Sequence, residues 1–531
     1  AAPNEGGHNL GDLYVDDGNS LNWNANAALY YTRSFNKHNL NLSVAWEASS
    51  GSSDATNVHY RGFPSGQFHS SNYAAEIYEK PSRTEGTSRM VSAWATGNYT
   101  WNDIYLADFS VRFDGSSDFG SKQRWAPFFS GGLGVNIHNY EFLKGNEIVN
   151  KLKVRASYGR TGKASFPAYA ATTMYEALFD EWYATGFGAV LKALGNNNLT
   201  WEKTDKFNVG IEMQFLNRRL TVDADYYHDK TIDLVNDVSL SQTSGFSSYK
   251  DNMGEVLNQG FELQVRGEVF RNRDWLVALW GNMAHNKNKI LKISDSQRAY
   301  NQRVKEFYEN IVNEEYGRYN SKYGVPISQY EEGQSLTSIW AVKSLGIDPT
   351  TGKEIFLNRD GSVSDTWNAT QEVAVGNTEP KFNGSIGFNA AYKQWSLFAA
   401  FQYEWGGQEY NQTLVDRVEN ARIQYQNVDL RVLTDRWKQP GDIAQFKDIK
   451  NADSATMPTS RFVQDKAYLR LSALTLSYDF NREWIKKYLG MNMLRLEAST
   501  RDFINWNSIR QERGLSYPKS WTVDFSIKAQ F

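Results

Sequence analysis

The stretch Trp521-Thr522-Val523-Asp524-Phe525-Ser526-Ile527-Lys528-Ala529-Gln530-Phe531 decides how the chain is read. Successive side chains of an extended strand point to opposite faces. Trp521, Val523, Phe525, Ile527, Ala529 and Phe531 therefore share one face, and Thr522, Asp524, Ser526, Lys528 and Gln530 the other. In water such a strand leaves a sticky edge. It suits a wall with hydrocarbon on one side, a wet interior on the other, and a neighbour on each edge.

The same alternation recurs along the chain. Trp23, Ala25, Ala27, Leu29 and Tyr31 form one apolar face, and Leu40, Leu42, Val44 and Trp46 form the next. Phe207, Val209, Ile211, Met213 and Phe215 lead through Asn217-Arg218 into Leu220, Val222, Ala224 and Tyr226. Phe261, Leu263 and Val265 turn at Arg271–Asp274 into Trp275, Val277 and Leu279. Asn, Asp and Lys at the junctions fit hairpin turns.

Bulk composition agrees. Of 531 residues, 14% are aromatic, and Tyr and Trp favour membrane interfaces. Yet mean hydropathy is -0.60, and no run approaches the ~18 apolar residues of a membrane helix. A barrel reconciles these facts, because only alternate residues meet lipid. With no cysteine, disulfides and cysteine-held metal centres are excluded. A net charge of -3 gives no reason to expect a nucleic-acid partner. The opening, Ala1 to Gly7, has no signal-peptide pattern and reads as a flexible polar segment.

The pattern predicts an all-β, antiparallel transmembrane barrel wall of about 15 strands. Short turns are expected near residues 35–39, 102–103, 139–150, 216–219, 271–274, 393–394 and 481–491. Long polar connections are expected near 48–90, 115–127, 161–200, 235–256, 290–380, 405–466 and 501–520. Short turns on one rim and long loops on the other characterise outer-membrane barrels. Residues 1–20 are read as an N-terminal segment on the long-loop, extracellular side, and 21–531 as wall. First and last strands both run toward the short-turn rim, so the strand number is odd. Closed single-chain bacterial barrels have even numbers. An odd number of further strands is therefore expected from a missing N-terminal part.

Several stretches resemble the SusC-like TonB-dependent transporters of the Bacteroidetes outer membrane. They are Arg112–Gly120 with Arg124–Ser130, Asn198–Thr204 through Leu220 to Tyr227, and Asn252–Leu263. Leu345–Gly352, Gly376–Phe382, Arg436-Trp437 with Pro440–Asp442, and Tyr468–Leu471 follow in family order. Asp502-Phe503 departs from it, standing where an Asn-Leu pair is usual. The resemblance implies a barrel of about 22 strands around a plugged lumen. This chain would then be the C-terminal two-thirds of that barrel, with the plug domain upstream. It further implies import of a nutrient oligomer, an oligosaccharide first and an oligopeptide second. The implied partners are the N-terminal barrel and plug segment, a SusD-like surface lipoprotein lid, TonB acting through the plug, and membrane lipid.

No residue pattern marks a catalytic site, so the chain is not expected to be an enzyme. Gly115–Gly120 lacks the Lys-Ser/Thr pair of a phosphate loop and reads as a rim turn. Asn358-Arg359-Asp360-Gly361 fails the EF-hand register, because Phe356 and Trp367 fall on ligand positions. A hairpin turn is preferred there over an irregular calcium site on Asp348 or Asp360. No metal or cofactor is expected. Loop aromatics Phe179, Trp182, Tyr183 and Tyr410, with Arg417 and Arg422, are the candidate ligand contacts. Packing of loop on loop is the competing reading for the rings, and solvation for the arginines. Phe531 is read as a barrel-assembly signal. A passive porin or adhesin barrel, and a soluble β-rich polysaccharide enzyme, are the alternatives from other classes.

Overall fold

The structure, a computed structural model, describes residues 11–63, 67–68, 70–120, 124–163, 171–183, 186–196, 198–239, 248–252, 254–313, 325–420, 428–451, 456–480, 482–510 and 521–531. One sheet of 17 strands dominates it. Two of these, Glu76–Ile77 and Asn505–Asn507, are short pieces pairing on the same partner as a longer neighbour, which leaves fifteen full strands. They begin with β1 Asp12–Phe35, β2 His38–Arg61, β3 Ser82–Trp101, β4 Tyr105–Ser116 and β5 Trp125–Asn136. Then come β6 Val149–Lys163, β7 Glu202–Phe215, β8 Leu220–Ile232, β9 Glu255–Arg271 and β10 Trp275–Lys292. The last are β11 Phe382–Tyr392, β12 Trp395–Tyr410, β13 Val463–Asp479, β14 Met493–Arg501 and β15 Thr522–Gln530.

Each strand pairs antiparallel with the next. All seven connections on one rim are short: 36–37, 102–104, 137–148, 216–219, 272–274, 393–394 and 480–492. Their backbones enter the left-handed region at Asn102 and Asp103 (φ 54 and 56) and at Asn217 (φ 57), as tight hairpins require. Six of the seven on the other rim are longer than any of these, at 62–81, 164–201, 233–254, 293–381, 411–462 and 502–521, while 117–124 is shorter than 137–148 and 480–492.

Register carries one apolar face across the whole sheet. Leu29 lies opposite Val44, Val44 opposite Ala95, Ala95 opposite Val111 and Val111 opposite Phe129. Farther on, Ile211 lies between Val154 and Ala224, and Leu263 between Ala224 and Met283. Leu476 lies between Leu397 and Ala498, which faces Phe525.

Aromatic rings border this band on both sides. Along the short-turn rim, Phe35–His38, Trp101–Tyr105, Trp275–Tyr392 and Trp395–Tyr478 have ring centres 4.9, 5.3, 4.4 and 4.8 Å apart. Toward the long-loop rim, Phe113–Trp125, His285–Phe382 and Phe503–Trp521 lie 5.3, 5.6 and 5.0 Å apart. From Trp395 to Trp405 β12 advances about 33 Å, or about 23 Å along the membrane normal at a tilt of ~45°. That matches the ~25 Å apolar band of outer-membrane barrels.

Two expectations change. β1 and β2 are each 24 residues long, where about 9–11 cross a membrane. The loop expected at 48–90 therefore shrinks to 62–81, and residues 12–20 are paired strand instead of loop, starting with Asp12 opposite Arg61. Ser, Gly, Thr, Asn and Asp dominate both faces over 16–20 and 49–57, so ladder hydrogen bonds hold a ribbon whose apolar alternation returns only where Leu13 and Val15 meet Tyr60 and Val58. Among the described residues β1 pairs only with β2, and β15 only with β14. Most side chains of both are exposed on both faces.

Candidate functional site

The opposite face of the sheet carries the charge that the apolar face lacks. Lys151, Lys153 and Arg155 of β6 converge on Glu212 of β7 at 2.6, 3.2 and 3.4 Å. Arg155 reaches on to Asp225 of β8 at 2.5 Å. Arg112 joins Asp114 at 2.6 Å and Ser92 at 2.9 Å, and Arg495 joins Asp479 at 2.6 Å. Such ladders suit a wet interior, where paired charges stay partly hydrated.

The two longest connections, 293–381 and 411–462, fold into each other above the long-loop rim. Segment 293–381 opens with helix α1, Asp295–Asn313, and continues in small sheets: Ser338–Ala341 pairs with Val373–Asn377, and Lys343–Ile347 with Glu354–Leu357. Segment 411–462 supplies an apolar cluster of Leu414, Val415, Val418, Val432, Phe446 and Phe462. The indoles of Trp437 and Trp367 donate to the carbonyls of Pro349 and Pro458, both at 2.9 Å. Each bond crosses from one segment to the other.

Buried charge locks this unit. Arg461 meets Glu419 at 2.7 Å and Glu354 at 2.8 Å, and Glu419 is fully buried. Burial works against the Arg461 charge, but the two carboxylates outweigh it and hold the guanidinium protonated. Burial also pulls Lys447 down to about 8. Glu372 accepts from Gln329, yet burial pushes it up to about 7, and among the described residues its Oε1 has no hydrogen-bond partner. The Arg431 guanidinium, 2.8 Å away, holds Asp429 well below the usual carboxylate range. Asp348 and Asp360 close turns: Asp348 accepts from Thr350 N and Thr351 Oγ1, and Asp360 from Ser362 N and Oγ. These bonds hold both carboxyls below their ordinary value.

The sequence-selected ligand contacts do not come together as one surface. Phe179, Trp182 and Tyr183 sit on the hairpin Met174–Tyr183/Gly186–Ala193 of the third long connection; their side chains lie outside the described residues, as does all of Arg422. Tyr410, expected to be exposed, is half-buried at the loop end of β12. Its ring packs on Phe462, 6.0 Å between centres, beside the Leu414 cluster. The chain folds back after Asn411, whose side chain caps the next turn by accepting from Leu414 N, and this covers the ring. Arg417 is half-buried on the same turn. Sequence reasoning missed Arg461, Glu419, Glu354 and Glu372. The one available signal was Leu414, Val415 and Val418, which have helical spacing inside a segment read as polar.

Residues 4–499 match the family described as TonB dependent receptor-like, beta-barrel. The TonB-dependent receptor P3 of Formosa agariphila is 26% identical over 504 residues, a match covering 93% of this chain and 49% of the relative. The TonB-dependent receptor SusC of Bacteroides thetaiotaomicron is 30% identical over 305 residues, covering 53% and 29%. Among solved structures, the RagAB peptide importer in its open-open state superposes with a TM-score of 0.78 at 22% identity, covering 98% of this chain and 55% of that one. The chain thus spans about half the length of relatives such as receptor P3.

Proposed function

The chain belongs to the TonB-dependent receptor-like β-barrel family, in its SusC-like branch of the Bacteroidetes outer membrane, and from that premise we propose that it is the wall of an energised importer. The observation that carries this reading is the fifteen-strand sheet with an apolar belt outside and paired charges inside. Its two unpaired edges run the same way. An odd number of further strands would close them antiparallel. We assign those strands, and the plug that blocks the lumen, to an upstream segment of the same transporter, with β1 as the first strand of this part of the wall.

TonB would pull on the plug, so energy would come from outside this chain and no residue here would break a bond. The interlocked loop unit supports a docking role: a rigid platform for a hinged SusD-like lid loses little entropy on binding. The cargo is a nutrient oligomer. We assign an oligosaccharide, with an oligopeptide as the alternative that experiment must separate. Trp182 and its neighbours Phe179 and Tyr183 are the proposed ligand contacts, with Arg417 and Arg422 as anion-holding groups.

Growth on defined oligomers tests this. A deletion strain complemented with the full-length gene should import one oligomer class only when TonB is intact, and Trp182→Ala should slow that uptake several-fold. Uptake without TonB, or passive ion conductance by the intact protein, would replace the importer with a porin.

A further inference from the structure

We propose that a cleft at the upper edge of the apolar belt, between β10, β12 and β13, binds the phosphate-bearing headgroup of an outer-leaflet glycolipid. The cleft has a volume of about 870 Å³, and His285, Lys287, Lys381 and Trp405 are among the residues that line it. Register fixes how they face. Phe261 lies opposite His285, and two residues on Gln259 lies opposite Lys287, so Lys287 shares the outward face one step above the ring of aromatics. Lys289, opposite Leu257, is one step higher again. Lys381 directly precedes Phe382, whose ring meets His285 at 5.6 Å. Trp405 is 69% exposed at the same level.

The lysines at this rim make no direct ion pair: Lys287, Lys289 and Lys381 are exposed, and among the described residues none has a carboxylate within ion-pair distance. Two carboxylates, Glu379 and Asp465, also line the cleft and keep their charge, each bonded to neutral donors. Glu379 accepts from the Asn286 amide and from Asn288 N at 3.2 Å, and Asp465 accepts from Gln408 at 3.1 Å. Lys466 is held by Glu409 at 3.0 Å. The stem of Lys381 lies over Gly406, where φ is +81 and a Cβ would meet the stem at 2.9 Å. A side chain at 406 would displace that lysine.

Lysines with apolar stems along the belt and ammonium heads above it sit where headgroup phosphates lie. An indole beside them covers the first sugar or acyl junction. This assignment rests on the membrane placement of the wall and not on import, so failure of one leaves the other standing.

The test uses the full-length transporter in nanodiscs doped with a phosphorylated glycolipid or with the same lipid after phosphatase treatment. Native mass spectrometry counts the glycolipids retained. The wild type should retain the phosphorylated form, and Lys287→Gln, Lys289→Gln and Lys381→Gln combined should lower retention at least about tenfold. The corresponding triple Lys→Arg variant should restore it, which separates charge from folding. Equal retention by the Gln variant, or equal retention of the dephosphorylated lipid, overturns the proposal. Displacement of the lipid by low-millimolar inorganic phosphate would assign the site to a soluble anion and overturn it as well.

Discussion

Arg461 shows how a loop residue becomes structural. It lies between Glu419 and Glu354, at 2.7 and 2.8 Å, with little solvent on any of the three. Arg461→Met would leave two buried carboxylates facing each other, an uncompensated charge that typically costs about 3–5 kcal/mol. Limited proteolysis should then cut within 411–462 while the barrel keeps its heat-modifiable migration on gels. Glu372 gives the unit a pH dependence. Its carboxyl is raised from 4.5 to about 7, so the folded unit holds a proton that the unfolded segment releases. The contribution of Glu372 to stability is therefore full below about pH 4.5 and is lost as pH rises through about 7, by up to about 3 kcal/mol. Protection of α1 amides, taken relative to the intrinsic base-catalysed exchange rate at each pH, should fall over that interval in the wild type and stay level in Glu372→Gln.

The strands were legible because half of each meets lipid and half meets water, which prints a period of two into the sequence. Leu263 and Gln264 are neighbours on β9 with opposite fates. Leu263→Arg places a charge in the belt between Ala224 and Met283, at about 2–4 kcal/mol. Gln264→Arg stays on the polar face and should be nearly neutral. Folded yield in detergent, read by the gel shift, should fall for the first and not for the second. The long loops were not legible. A carboxylate buried against an arginine and one dissolved in water are the same letter, and only tertiary pairing separates Glu419 from a solvated glutamate. The outer halves of β1 and β2 escaped for a related reason: Ser49 to Asp54 is Ser, Gly and Asp on both faces, so pairing there leaves no mark on composition.

At the scale of the molecule, the odd strand number supports the proposal that another segment completes the wall. The odd number read from the connections holds in the structure, with β1 and β15 running the same way at two edges that have no further partner among the described residues. Phe531, 79% exposed at the end of the last strand, is where we place the signal for the assembly machinery. Phe531→Ala should lower the fraction of full-length protein reaching the heat-modifiable form in cells, with little effect on refolding in detergent. The account depends most on which face of the sheet meets lipid. The chain has no cysteine, so single cysteines along β12 can be spin-labelled in the membrane-embedded full-length protein. Collision with oxygen should peak at 397, 399 and 401, and collision with a water-soluble nickel reagent at 396, 398 and 400. Accessibility without that period of two, or with the two sets exchanged, would contradict a wall whose apolar face lies against hydrocarbon.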